Sequence, residues 1–313
     1  MWVKASGLWL RDALLRPIFV PVALSQVRAG VSAGDADPVG PAVLHALATE
    51  PGLRPSIETT LHALMPHRVV LHVHAVDAIV WAVLPNAQAR LKPLLTGIAW
   101  GWVDYHRPGL PLTRGVAELI QHQAVDVVMM ANHGLVIGAD TVTQAEALLH
   151  RVLTQLRHPV RAAPAADAIG LARDAEGTGW RLPANPDAHA VATDRLNLSR
   201  AEHGVLYPDH VVFLGHQVTI APAGLTDQSA GHALHDWLVK QHGLAVSPPY
   251  IAIAGRGVLV RDDLPEAAQE LLGCLSDVLR RLPEEPEPLY LPAKETLFLA
   301  NWEAEKFRQT QQR

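Results

Sequence analysis

The chain has 313 residues, 49% hydrophobic and 18% charged, about twice the length of a typical single domain and too apolar for disorder. Twenty-six basic against 31 acidic side chains leave a net charge of -5, which gives no reason to expect binding to nucleic acid or an acidic membrane and disfavours polyanionic partners. The single cysteine, Cys274, excludes an intramolecular disulfide and a thiolate metal cluster.

No apolar run reaches the roughly 18 to 20 residues that span a bilayer, and Met1-Trp2-Val3-Lys4 lacks the pattern of a cleavable leader. A cytoplasmic protein with a small-molecule substrate is expected, and its low charge favours a homo-oligomer. A metal would need His or carboxylate ligands, and the 17 histidines make that question worth asking.

Trp2 to Ala5 reads as a strand, Ser6-Gly7 as a turn, and residues 25 to 40, with four glycines or prolines, as a loop. Ser56 is the expected N-cap of a helix that runs through Leu61 and Leu64 and stops before Pro66. Then come a strand at Val69 to His74, a helix at Ala75 to Val83 and a strand at Ile98 to Tyr105, ended by Arg107-Pro108-Gly109. Helix 112 to 123, strand 125 to 131, a turn at Asn132-His133-Gly134, strand 135 to 138 and helix 141 to 156 complete an α/β half.

Residues 161 to 192, rich in Ala, Pro, Asp and Gly, read as a linker or excursion between a first domain, 1 to 160, and a second, 193 to 313. The second resembles the first, either by duplication or by convergence of two strand-turn-strand-helix units. The strand from Pro66 to His74 lines up with Pro208 to His216, and Ala131-Asn132-His133-Gly134 with Ala254-Gly255-Arg256-Gly257. In that alignment Leu214 replaces His72 and Arg256 replaces His133, so the second copy could hold no metal.

His72 and His74 lie two apart on a strand and face the same side. With 17 histidines, chance delivers about one such pair. His133 changes the weight, because it ends another strand beside a glycine that lets the backbone turn sharply next to a ligand. Three imidazoles leave a fourth position for substrate oxygen, as at catalytic zinc. An ion there can hold an enediolate, which forms when a carbon acid loses its proton or its carbon partner. That chemistry needs a proton acceptor, and Glu58 is either that group or a carboxylate placed to suit a helix dipole.

These motifs together, Ser56-x-Glu58-Thr59-Thr60-x-His62, Val69-Val70-x-His72-x-His74 and Asn132-His133-Gly134-Leu135, resemble the class II aldolase/adducin superfamily. Lys4-Ala5-Ser6-Gly7 and Tyr105-x-Arg107-Pro108-Gly109 strengthen the likeness. The resemblance implies a three-layer α/β/α sandwich around a largely antiparallel sheet, followed here by the degenerate α/β repeat, and a fourfold assembly with sites at subunit borders. It implies a divalent metal, most readily Zn2+, on His72, His74 and His133, with Glu58 as the acid/base. Ser6, Gly7 and Ser56 would contact the phosphate or terminal group of the substrate. Tyr105 is either a proton donor to a neighbouring subunit or a core tyrosine. The family also has a helix and a strand ahead of the Lys-Ala-Ser-Gly equivalent, so either the chain start is misplaced or a shortened member is expected here. The function implied is a metal-dependent aldolase acting on a sugar phosphate or hydroxy-keto compound. An epimerase, a dehydratase or a non-catalytic adducin-like module are the alternatives.

Overall fold

The computed structural model describes residues 1–225 and 233–302, and its architecture is mixed α/β. The described residues form two compact units, Met1–Ala82 with Asn86–Arg157, and Val83–Pro85 with His158–Trp302.

The first unit opens with β1 (Trp2–Lys4) antiparallel to β2 (Phe19–Pro21), with Val3 opposite Val20. Helix α1 (Leu24–Ala33) follows, where the glycines and prolines of 25 to 40 had suggested a loop. The glycines have other uses. A Cβ on Gly30 would stand 2.8 Å from that of Pro38, so Gly30 lets the segment after the helix pack closely against it, and Gly34 ends the helix at φ 78°. Val27 buries itself with Ile18 and Ala42 and so holds the helix down.

Next come α2 (Thr59–Leu64), β3 (Val69–Val73), α3 (Val76–Ala82), α4 (Ala87–Leu94) and β4 (Trp100–Val103). Then follow α5 (Leu110–His122), β5 (Val127–Met130), β6 (Gly134–Ala139) and α6 (Val142–Leu156). The sheet runs β3-β6-β5-β4, with β6 antiparallel to both neighbours and β4 parallel to β5. Val70, Val128, Met130 and Val136 pack on one face against Leu61, Leu112 and Val116. The alternate residues Val127, Met129, Leu135 and Ile137 are fully buried, and α3 and α6 pack on β6. Thr141 and Gln144 form a capping box at the start of α6.

The second unit contains α7 (Ala168–Ala175), β7 (Trp180–Arg181), α8 (Ala190–Thr193), α9 (Arg195–His203) and α10 (Pro208–Leu214). It continues with β8 (Thr219–Ile220), α11 (Ala233–His242), β9 (Tyr250–Ile253), β10 (Gly257–Arg261), α12 (Glu266–Arg281) and α13 (Ala293–Asn301). Two expectations are corrected. Residues 161 to 192 are no linker, since α7, β7 and α8 fall there and Arg181 of β7 pairs with Val260. Pro208 to Leu214 is a helix rather than a strand, begun by Pro208 at its first turn and ended at Gly215. All seven of its residues are buried, and such a run has no amphipathic period to separate helix from strand. The last helix of the described residues is α13, which ends at Asn301.

The two four-stranded sheets share one topology. The second runs β7-β10-β9-β8, again with one parallel pair, β8 with β9. The matching extends to single hydrogen bonds: Asn132 N donates to Ala82 O at 2.9 Å and Gly255 N to Ala192 O at 2.8 Å, each donor two residues before the strand glycine. Leu71 pairs with Ile137, three residues past Gly134, and Arg181 with Val260, three past Gly257. The residue in the place of His72 is therefore Leu182, and Leu214 does not correspond to it. Among the described residues no helix is long and apolar enough to cross a membrane.

Burial holds the His210 imidazole of α10 at a pKa of about 4, below the ordinary 6.5. The unfolded chain takes up a proton where the folded one does not. This contribution to stability is therefore complete above about pH 6.5 and is lost as the pH falls toward 4, a change on the order of 3 kcal/mol. His62, also lowered to about 4 and mainly by burial, acts in the same window. Urea unfolding across this range should show the fall, and His210→Gln should make it shallower. An unchanged slope in the variant would contradict the assignment.

Candidate metal centre

The site is assembled at one end of the first sheet. His72 projects from the same face of β3 as Val70, two residues before it, and His74 follows at the end of the strand. Between β5 and β6 the chain turns through Asn132 at φ 50°, with His133 N donating to Met130 O at 3.2 Å, and this presents His133 beside the β3 end. Gly134 makes the approach feasible: a Cβ there would stand 2.6 Å from Val73 O and 3.0 Å from His74 Cδ2.

The fourth group comes from α2. Ser56 O accepts from Thr59 N at 3.0 Å and Ser56 Oγ from Glu58 N at 3.3 Å, so Ser56 shapes the entry to the helix while Glu58, not Ser56, is its N-cap. The Glu58 side chain does not cap the helix. It turns to the imidazoles, with Oε2 2.9 Å from His72 Nε2 and Oε1 3.3 Å from His133 Nε2.

The ligand atoms of Glu58, His72, His74 and His133 all lie within 4.8 Å of one another. His72 Nδ1 lies 3.1 Å from Leu135 O. A carbonyl can only accept, so the proton sits on Nδ1 and the lone pair of Nε2 faces the cluster. His74 Nε2 lies 3.0 Å from His72 Nε2. Glu58 and His133 are buried. Burial raises the Glu58 carboxyl, but the adjacent His72 and His133 outweigh it and hold the group well below its ordinary value. Burial lowers His133, with Glu58 opposing. The result is an ionised carboxylate facing three imidazoles, of which His133 resists protonation, an arrangement that suits a divalent cation.

Residues 28–157 match the class II aldolase and adducin N-terminal domain. That assigns the stretch holding all four clustered side chains, while Ser6 and Gly7 precede it. Over 89 residues, 28% of its length, the chain is 37% identical to the uncharacterized oxidoreductase YuxG of Bacillus subtilis, of which the match spans 13%. It is also similar to the N-terminal class II aldolase domain of a conserved protein from Thermoplasma acidophilum, at 19% identity and a TM-score of 0.37, over 44% of this chain and 64% of that one. The chain thus spans less than two thirds of either relative.

The other expected residues are placed as follows. Ser6 N donates to Arg54 O at 2.9 Å and Ala5 bridges Pro55, which sets the Ser6-Gly7 turn, with Gly7 at φ 76°, beside the segment leading to Ser56 and Glu58. Lys4 Nζ donates to Ala5 O at 3.0 Å and Leu8 O at 2.7 Å and spans that turn. Tyr105 follows β4, at the opposite edge of the sheet from β3, and is not part of the cluster. Its hydroxyl is buried. Sequence reasoning assigned no role to His62, whose ring centroid lies 6.4 Å from that of His72. Its spacing of four from Glu58 on a helix was the available signal.

Replacing Gly134 with Ala should push His74 off the cluster while leaving all four ligand groups present. Metal affinity measured by equilibrium dialysis should fall about tenfold or more, and His133→Ala should abolish stoichiometric binding. Unchanged zinc content in either variant would contradict the geometry.

Proposed function

We propose that the chain is a class II aldolase-type lyase, with a divalent cation, most readily Zn2+, on His72, His74 and His133 and with Glu58 as its acid/base. The observation that carries this reading is the convergence of one carboxylate and three imidazoles within 4.8 Å inside the stretch that matches the family. Three nitrogen donors leave a position open to substrate, as catalytic zinc sites do. When bound, such a cation supplies positive charge against an oxyanion developing on a carbonyl substrate.

The remaining work falls to the chain itself. Glu58, ionised and buried, accepts a proton from the carbon or hydroxyl group of the substrate at one carboxylate oxygen and returns it in the reverse direction. The Ser6-Gly7 turn and Ser56 bind the phosphate or terminal group of a sugar phosphate or hydroxy-keto substrate. Tyr105, at the other edge of the sheet with its hydroxyl buried, serves as a core tyrosine of its own chain. The oxidoreductase name of the Bacillus subtilis relative is not carried over, because the match spans 13% of that protein.

We further infer that the second unit is a degenerate copy of the first, supported by the shared strand order and directions. Arg256 stands in the place of His133 and binds Asp167 at 2.8 Å and Asp174 at 2.7 Å. An ion pair thus replaces a ligand, and this unit serves packing and assembly.

Glu58→Gln tests the acid/base role, since the amide keeps the shape and cannot accept the proton. Metal content should be retained, and turnover in a screen of aldol cleavage on ketose phosphates should fall about 10² to 10⁴-fold. Undiminished turnover would remove Glu58 from the chemistry, and loss of metal would make it a ligand instead.

A further inference from the structure

Helix α2, which sets the position of Glu58, has six residues and no side-chain N-cap. A helix this short cannot hold its own position, and tertiary contacts must fix it. Two are present. At its C-terminal end, Arg28 Nε donates to Ala63 O at 2.6 Å and Arg28 Nη2 to Met65 O at 3.1 Å, satisfying carbonyls that the helix leaves unpaired.

At its N-terminal end, two residues after Glu58, Thr60 Oγ1 lies 2.6 Å from Thr113 Oγ1. Both residues are buried, at 2% and 0% exposure. Thr113 Oγ1 also lies 3.0 Å from Gly109 O. The carbonyl can only accept, so the Thr113 proton goes to Gly109 and the proton between the two hydroxyls belongs to Thr60. The direction is therefore fixed: Thr60 donates to Thr113, which donates to Gly109, the residue at φ 83° that begins α5. This chain of two bonds ties the helix of Glu58 to the turn that follows Tyr105.

We propose that Thr60 and Thr113 are positioning residues that hold the Glu58 carboxylate against His72 and His133. The proposal rests on the metal reading of the cluster and deepens it. Its physical basis is that Glu58 reaches the imidazoles at 2.9 and 3.3 Å, so a small shift of a short helix changes the environment of the metal without removing any ligand. Thr113→Val removes the tether, so the helix is no longer held in place, and it also leaves the Thr60 hydroxyl buried and unpaired, which costs stability.

Full-length protein loaded with Co2+ in place of the native ion provides a readout independent of turnover. Thr113→Val should change the visible absorption spectrum of the bound cobalt and weaken its affinity about 10- to 100-fold, and Thr113→Ser should restore both. The double variant Thr60→Val, Thr113→Val removes the unpaired hydroxyl and should recover stability toward urea, yet keep the altered spectrum. A wild-type spectrum and affinity in Thr113→Val would overturn the positioning role, as would a double variant that recovers the spectrum together with stability. A wild-type chain that takes up no cobalt would instead overturn the metal reading, and the proposal with it.

Discussion

Burying the Glu58 carboxylate beside His72 and His133 removes a charge from water, which is unfavourable unless a positive charge shares the space. The imidazoles meet this need only in part, because burial also disfavours protonating His133. The pair distances of 2.9 and 3.3 Å and the 3.0 Å between two imidazole nitrogens describe lone pairs aimed at a common volume. A divalent cation resolves that conflict, since it satisfies the carboxylate and the imidazoles together. The rest of the first unit can be understood as the support such a cluster needs.

That support is a close fit of backbone elements. Gly134 lets β6 start against Val73 and His74, where any Cβ would clash. The antiparallel β3–β6 register, with His72 opposite Val136 and Val73 opposite Leu135, brings His72 within reach of Leu135 O, and this bond sets its tautomer. The Trp81 indole donates to Leu156 O at 2.9 Å and ties α3 to α6. Such connections fix ligand positions through many small constraints rather than through one strong bond.

The ligand strands were legible in the sequence because their signals are local. β-branched residues around His72, and a glycine directly after His133, specify strand and turn within a few positions. Other features depend on packing that lies far off in sequence. Gly30 falls in the stretch read as a loop, yet it lies in a helix where its lack of a side chain accommodates Pro38. Pro208 to Leu214 carried a strand-like composition but is a helix buried on all sides, where periodicity has nothing to report. The weakly patterned stretch before residue 192 folds because β7 finds its partner in β10, about 80 residues later. Glu58 was legible as a candidate, but its exact place as the N-cap was not, nor was the Thr60–Thr113 bond, whose partners lie 53 residues apart.

The second unit has the same strand order in its sheet as the first but no such cluster among its described residues. At its β9–β10 turn Arg256 instead binds Asp167 and Asp174. The central claim therefore concerns the first unit alone. Anomalous diffraction at the zinc edge from zinc-soaked crystals tests it most directly. The expected result is one strong peak per chain at about 2.0 to 2.1 Å from Nε2 of His72, His74 and His133, and no peak at this cluster, or a peak held by other residues, would contradict it.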